Sequence, residues 1–144
     1  MAVQRDNPYL NFNFLVDLGL GEEMGFSEVE VPSGEIEVIE YREGGDRVNS
    51  ARKLPGLAKY PNVTLKRGIT GRTDLFEWWK SVRDGQAQRR DVTITLLDEQ
   101  RQAVLRWHLR NAWPVKIEAS QLNATGNEVV IESLELSHEG LEIE

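Results

Sequence analysis

The sequence contains no cysteine and only two histidines among its 144 residues. The lack of thiols excludes thiolate catalysis, cysteine-type zinc sites and redox switching. The histidines, His108 and His138, are far apart in the chain and lack the His-x-x-x-His spacing of metal ligands. We therefore predict no metal site.

Positive charge is also scarce. Lysine and arginine total 17 against 24 aspartate and glutamate residues, so the formal net charge is −7. This balance disfavours binding of nucleic acid through a basic face and attachment to an anionic membrane surface. No apolar run approaches the roughly 20 residues of a transmembrane helix, and the first residues lack the apolar core of a signal peptide. We expect neither membrane anchoring nor Sec export.

The length and the hydrophobic pattern predict one mainly β domain over residues 1–144. Alternation of apolar and polar residues predicts seven or eight strands. They are expected at residues 11–18, 26–31, 35–41, 60–67, 92–96, 105–117, 128–137 and 141–143. In residues 35–41 the apolar positions change face, which indicates a bulge or burial on both sides. In residues 105–117 six apolar residues share odd positions, which predicts a single buried face: Leu105, Trp107, Leu109, Trp113, Val115 and Ile117.

One helix is predicted between these strands. Thr73 or Asp74 is the expected N-cap, and Gly85 is a natural terminator. The spacing of Leu75, Trp79 and Val82 predicts a buried stripe, widened by Phe76 and Trp78. Such a short helix depends on docking its aromatic face. The whole pattern predicts a β-sandwich or barrel with one helix covering an opening.

In residues 43–59 apolar and polar residues do not alternate, which predicts a long irregular loop. The segment contains Gly44-Gly45 and Pro55-Gly56, together with the cations Arg47, Arg52, Lys53 and Lys59. Structureless segments of this length in a compact domain are usually functional or disordered.

No motif in the chain predicts catalysis or a cofactor. The glycines at positions 19, 21 and 25 miss the dinucleotide-binding spacing, and two glutamates lie where a pyrophosphate would bind. Paired acids on strands are most often solvated. The four tryptophans could form a sugar-binding platform, but their spacing favours the core. These observations favour a structural or interaction role without enzymatic activity.

A set of motifs, in order along nearly the whole chain, resembles a known family. They are Asn7-Pro8-Tyr9, Phe12-Asn13-Phe14, Tyr41-Arg42-Glu43-Gly44-Gly45, Leu54-Pro55-Gly56, the run from Tyr60 to Gly68, Trp78-Trp79, Asn111-Ala112-Trp113-Pro114-Val115-Lys116 and the stretch from Ile131 to Leu141. Together they resemble the tail tube proteins of contractile phages and of extracellular contractile injection systems.

The resemblance implies a β-sandwich-like subunit that forms hexameric rings, which stack into a hollow inner tube. A contractile sheath surrounds such a tube, spike and baseplate proteins complete it, and contraction drives it through a target envelope. The lumen conducts an effector protein or, in a phage virion, DNA. Type VI secretion tubes share the fold, and the family has no catalytic residues and no cofactor. The resemblance also implies assembly in the cytoplasm, followed by incorporation into a phage tail-like particle, extracellular or virion.

Two expectations concern particular residues of such a tube. Glu28 and Glu30 alternate with Val29 and Val31, so we expect them to line the lumen. Residues 42–59 are expected to be ordered by contact with a ring neighbour or the next ring, through Arg42, Arg47, Arg52, Lys53 and Lys59. Two alternatives stay open: a phage virion tube that conducts DNA, and a monomeric carbohydrate-binding β-sandwich.

Overall fold

A computed structural model describes residues 5–19, 23–86 and 88–144 of the chain. These residues form ten strands and one helix. The elements are β1 (Phe14–Asp17), β2 (Glu23–Met24), β3 (Glu28–Val29), β4 (Glu35–Tyr41), β5 (Arg52–Lys59), β6 (Val63–Gly68), α1 (Asp74–Arg83), β7 (Arg90–Leu97), β8 (Ala103–Ala119), β9 (Ile131–Ser137) and β10 (Gly140–Ile143).

Eight strands form one antiparallel sheet that is built around the long strand β8. The strand order is β2-β1-β7-β8-β9-β6-β3, and β10 joins it by pairing with β8. Residues 103–112 of β8 pair with β7, whereas residues 113–119 pair with β9. Strand β8 thus belongs to two halves, a first half with β2, β1, β7 and β10, and a second half with β9, β6 and β3.

Strand β8 changes its buried face where the two halves meet. Leu109 is buried before the junction, but Ala112 and Pro114 are buried after it. Asn111 between them has a positive φ of 53°, and the pairing shifts register on both sides. The prediction that odd positions in 105–117 share one face is therefore wrong, because each bulge inserts a residue and reverses the alternation.

The core lies between the two halves of the sheet and beneath the helix. Leu75 and Trp78 of α1 join it, and the indole Nε1 of Trp78 donates a 2.8 Å hydrogen bond to the carbonyl of Gln88. The remaining core residues come from the strands and their ends: Val16, Leu18, Met24, Val63, Leu65, Val92, Ile94, Leu109, Ala112, Leu134 and Leu136. The predicted mainly β fold, sandwich- or barrel-like with one helix, is confirmed.

The helix bounds are confirmed, but its buried face is rotated from the predicted one. Trp78 is 2% exposed, whereas Trp79 is only partly buried and Phe76 is exposed. Trp79 is therefore not a core residue of the subunit, and its burial against a ring neighbour stays a prediction. The five apolar residues among the ten positions of the helix form a broad stripe. Which of them are buried is decided by how the helix packs against the strands.

Two predicted boundaries also change. The strand expected over residues 26–31 is only Glu28–Val29. The segment predicted to be irregular over 43–59 contains the eight-residue strand β5, so the loop is confined to residues 42–51. Pro55 and Gly56 suggested a break in regular structure. They lie beside a register shift between β4 and β5, where a proline and a glycine are tolerated.

Candidate assembly surface

Strands β4 and β5 form a hairpin that stands apart from the eight-stranded sheet. The two strands pair only with each other, from Glu35 opposite Lys59 to Tyr41 opposite Arg52. Every residue of both strands is exposed except the half-buried Gly56. Since an isolated hairpin is marginally stable in water, this element requires a covering surface.

Both faces of the hairpin carry apolar side chains. Ile36 and Val38 lie on one face, opposite Ala58 and Pro55. Ile39 and Leu54 face each other on the opposite side. The exposed large apolar side chains of the two strands are Ile36, Val38, Ile39, Tyr41, Leu54 and Leu57. Contiguous apolar patches of this kind mark interaction sites, because a monomer gains nothing from leaving them in water.

The charges on the hairpin are partly paired within the subunit. Lys59 Nζ lies 3.5 Å from Glu37 Oε1. The Tyr41 hydroxyl donates a 2.7 Å hydrogen bond to Glu43, and this bond raises the pKa of Tyr41. Such charges at an edge strand discourage indiscriminate pairing with other strands.

The loop at the tip of the hairpin, residues 42–51, is organised by its own contacts. The Arg42 side chain donates hydrogen bonds to the carbonyls of Asp46 and Val48. The Asp46 carboxylate accepts 2.9 and 3.0 Å hydrogen bonds from the Glu43 amide and the Arg52 guanidinium. The loop is thus held by contacts within the hairpin, while its contact with a ring neighbour or the next ring stays a prediction.

The five predicted contact cations fall into two groups. Arg42, Arg52 and Lys59 are engaged within the hairpin. Arg47 and Lys53 form no hydrogen bond or ion pair with any residue that the structure describes, and both are exposed. These two cations are free to bind a partner.

The residues that connect the hairpin to β6 contact His138 of the body. The imidazole of His138 is buried, and its Nε2 lies 3.2 Å from the Pro61 carbonyl. The ring of Tyr60 lies 5.7 Å from the His138 ring, measured between centroids. Sequence reasoning missed this role, because nothing in the pattern brings position 138 near position 61.

The structure places Glu28 and Glu30 together on the polar face of the second half of the sheet. Glu28 lies opposite Lys66, with 3.6 Å between its Oε2 and the lysine Nζ. The Glu30 amide donates a 2.9 Å hydrogen bond to the carbonyl of Thr64, which lies on β6 as Lys66 does. Val29, between Glu28 and Glu30, packs against the core. The neighbouring polar residues on this face are Thr64, Lys66, Lys116, Glu118, Ser133 and Glu135. The face is of mixed charge rather than purely acidic.

Neither a metal cluster nor a membrane span emerges from the described parts of the chain. Within them, no group of three His, Cys, Asp or Glu side chains could hold a metal ion. Helix α1, the one helix among the described residues, is too short and too polar to cross a membrane.

Comparison with protein families gives one match over nearly the whole chain. The family described as T4-like virus tail tube protein gp19 matches residues 10–142. No curated protein sequence is significantly similar to the chain.

Solved structures show the same relationship. A chain of the extracellular contractile injection system PVC, solved as a sheath-tube complex in the extended state, is 30% identical with a TM-score of 0.81, and the match covers 95% of this chain and 91% of that one. A chain of the anti-feeding prophage (AFP) baseplate, 6-fold symmetrised, is 27% identical with a TM-score of 0.85, covering 96% and 97%. Hcp1 from Flavobacterium johnsoniae is 14% identical with a TM-score of 0.59 over 92% and 94%, and so shares the fold.

Proposed function

Because the chain belongs to the T4-like virus tail tube protein family, and is thus a structural subunit of an inner tube, we propose that its copies close into hexameric rings that stack into the hollow tube of a contractile injection system. The match of the family over residues 10–142 carries this proposal. The sixfold symmetry of the AFP baseplate supports a ring of six. The role is structural and does not include catalysis.

Ring closure gives the exposed hairpin its covering surface. Contacts within a ring are heterologous, so the hairpin of one subunit packs on a different surface of its neighbour. Burial of Ile36, Val38, Ile39 and Leu54 then stabilises the ring, since removal of apolar area from water contributes about 25 cal/mol per Å². A monomeric carbohydrate-binding module has no use for an apolar hairpin that projects from its body.

The free cations at the tip of the hairpin fit a contact with another acidic subunit. Each subunit has a net charge of −7, so stacked rings repel one another unless cations lie at their contacts. Arg47 and Lys53 supply them directly, while Arg42, Arg52 and Lys59 shape the hairpin that presents them. Exposed pairs contribute only about 0.2–1 kcal/mol each, but a ring repeats them in every subunit.

The lumen is proposed to be lined by the polar face that contains Glu28 and Glu30. The opposite face of these strands is buried in the core, so this face is available to water. Lys66 and Lys116 lie on the same face and offset part of the acidic charge.

The cargo is proposed to be an effector protein, with a sheath, a baseplate and a spike as further partners. Assembly takes place in the cytoplasm, and the particle then acts outside the cell. The phage alternative, a virion tube that conducts DNA, is favoured only by the viral name of the family.

Electron microscopy and light scattering of the purified chain test the proposal. We expect hexameric rings or tubes at high concentration. Monomers at every concentration would overturn it. The variant Ile39→Asp should stay folded by circular dichroism but monomeric. The matched control Val31→Asp changes an exposed apolar residue outside the hairpin, and it should still form rings.

Reversal of charge at the tip tests the contact between rings. Arg47→Glu with Lys53→Glu should leave rings intact and weaken stacking, and raised salt should restore part of the loss by screening repulsion. Arg52→Glu with Lys53→Glu should do the same, with an additional loss of order in the loop because Arg52 binds Asp46. Tubes of normal length from both double variants at low salt would contradict this role of the tip.

A further inference from the structure

The connection between β8 and β9, residues 120–130, exposes apolar side chains that the subunit does not use. Leu122 is 79% exposed and Val129 is 75% exposed, and among the described large apolar residues only Leu57 of the hairpin, at 76%, is comparable. The connection curls around an open cleft of about 590 Å³, lined by its own residues from Ser120 to Val130. Solvent-exposed leucine and valine on the rim of a cleft are typical of a surface that is covered on assembly.

This connection and the base of the hairpin lie at opposite ends of the second half of the sheet. Strand β6 runs from Val63, opposite Leu136, to Gly68, opposite Ile131. The hairpin precedes the Val63 end, whereas residues 120–130 precede Ile131 at the Gly68 end. The Ile69 amide donates a 3.0 Å hydrogen bond to the Val130 carbonyl, which holds the connection at that end. At 3.3 Å per residue the two ends of β6 are about 17 Å apart.

The two ends also carry opposite unpaired charge. The tip loop and the first two residues of β5, residues 42–53 together, contain four cations and two anions, and Arg47 and Lys53 are free. Glu128 is the one charged residue in 120–130, and it forms no hydrogen bond or ion pair with any described residue. Val48, also at the tip, is exposed and apolar. An apolar contact flanked by a cation and a carboxylate can therefore form between the tip of one copy and this connection of another.

We propose that residues 120–130 are the docking surface that receives the tip of the hairpin from a second copy of this chain in the next ring. The inference rests on the proposed tube function and names its receiving surface. Because the hairpin leaves the sheet at the end opposite the receiver, the contact repeats in one direction and produces an open stack. Val48 packs against Leu122 and Val129 at the cleft, and Lys53 or Arg47 pairs with Glu128.

Complementation between two defective variants tests the proposal. The receiver variant carries Leu122→Asp and Val129→Asp, and the donor variant carries Val48→Asp and Lys53→Glu. Each, assembled alone, should form single rings and no tubes. Rings prepared separately and then mixed should form paired rings and nothing longer, because one intact donor end meets one intact receiver end. Electron microscopy counts single rings, paired rings and tubes.

A matched control and a charge exchange complete the experiment. Gln121→Asp adds negative charge to the same connection without removing an apolar side chain, and it should still form tubes. Glu128→Lys should raise the protein concentration needed for tube growth by at least about tenfold, which is 1.4 kcal/mol. Combining it with Lys53→Glu should recover part of that loss, as expected for a direct pair.

The outcomes separate this inference from the proposed function. Tubes of normal length from the receiver variant overturn the docking surface and leave the tube function standing. A receiver variant that is folded but forms no rings also overturns it, because the connection then belongs to ring closure. A wild-type chain that forms no rings defeats the proposed function itself.

Discussion

The guanidinium Nη2 of Arg67 lies 2.6 Å from Oδ1 of Asp74, and this ion pair joins strand β6 to the first residue of the helix. Arg67 is only 7% exposed, and its other neighbour is Glu132 on β9 at 3.4 Å. Burial disfavours the charged form of Asp74, but the hydrogen bond and charge of Arg67, together with the charge of Arg72 and the Leu75 amide, outweigh it and lower the pKa. Thr73 forms no side-chain cap, and the Asp74 carboxylate instead accepts a bond from the Leu75 amide.

Replacing Arg67 by methionine should destabilise the subunit strongly. Two carboxylates on different elements lose their common cation, and breaking a buried pair in this way costs about 3 kcal/mol. Arg72→Met is the matched control, because Arg72 binds the other oxygen of Asp74 from an exposed position. That change should cost under about 1 kcal/mol. Urea unfolding of both variants measures the difference, and equal losses would contradict the special role of Arg67.

The two adjacent tryptophans of the helix should differ sharply in their contribution to stability. Trp78→Ala removes a buried side chain and should lower the free energy of unfolding by about 3–5 kcal/mol. Trp79→Ala should cost far less in the isolated subunit, since Trp79 lies near the helix surface beside Phe76 and Arg83. Thermal unfolding of subunits kept dilute checks this order. The reverse order would show that the helix docks through its other face.

The junction in β8 should tolerate glycine better than alanine at position 111. Asn111 has a φ of 53°, and its Nδ2 donates a 3.1 Å hydrogen bond to Glu139. Alanine at this φ costs about 1–2 kcal/mol because its Cβ crowds the following carbonyl oxygen. Glycine accepts the φ and loses only the side-chain bond. Chemical unfolding of Asn111→Ala and Asn111→Gly compares them, and a glycine variant as unstable as the alanine one contradicts the prediction.

The segment before β1 should detach in acid. Arg5 donates two hydrogen bonds to the Glu99 carboxylate, at 2.9 and 3.0 Å, and holds the pKa of Glu99 at about 2 instead of the ordinary 4.5. A lowered pKa in the folded state stabilises the contact above the ordinary value. That contribution is lost as the pH falls from about 4.5 towards 2.

Nuclear magnetic resonance of the Arg5 Nε–H and of the Leu97 amide, which binds the Asn13 carbonyl, follows this detachment. Glu99→Gln should release the segment at neutral pH, since a neutral amide cannot provide a charged bidentate partner. Glu142→Gln removes a charge of the same type elsewhere, and it should leave both signals unchanged. If neither resonance shifts between pH 4.5 and 2, the Arg5–Glu99 ion pair does not hold the segment.

Local regularities of the chain predicted much of the fold. Glu35–Tyr41 was predicted with its observed bounds, and the helix with its observed length, because alternation and helix signals are properties of neighbouring residues. The strand expected at residues 60–67 contains β6, whose Val63 and Leu65 share a buried face. Strand β5 was not predicted, because Pro55 and Gly56 are typical of turns and the strand forms only by pairing with β4.

The sequence by itself determined a cysteine-free, acidic, mainly β chain with one amphipathic helix, and the ordered motifs pointed to its family. Only the tertiary structure decided which tryptophan enters the core, where β8 reverses its face, and that Arg67 serves both Asp74 and Glu132. It also decided that the base of the hairpin and residues 120–130 lie at opposite ends of the second half of the sheet. Alternation specifies which residues share a face, whereas what covers that face depends on strands distant in sequence.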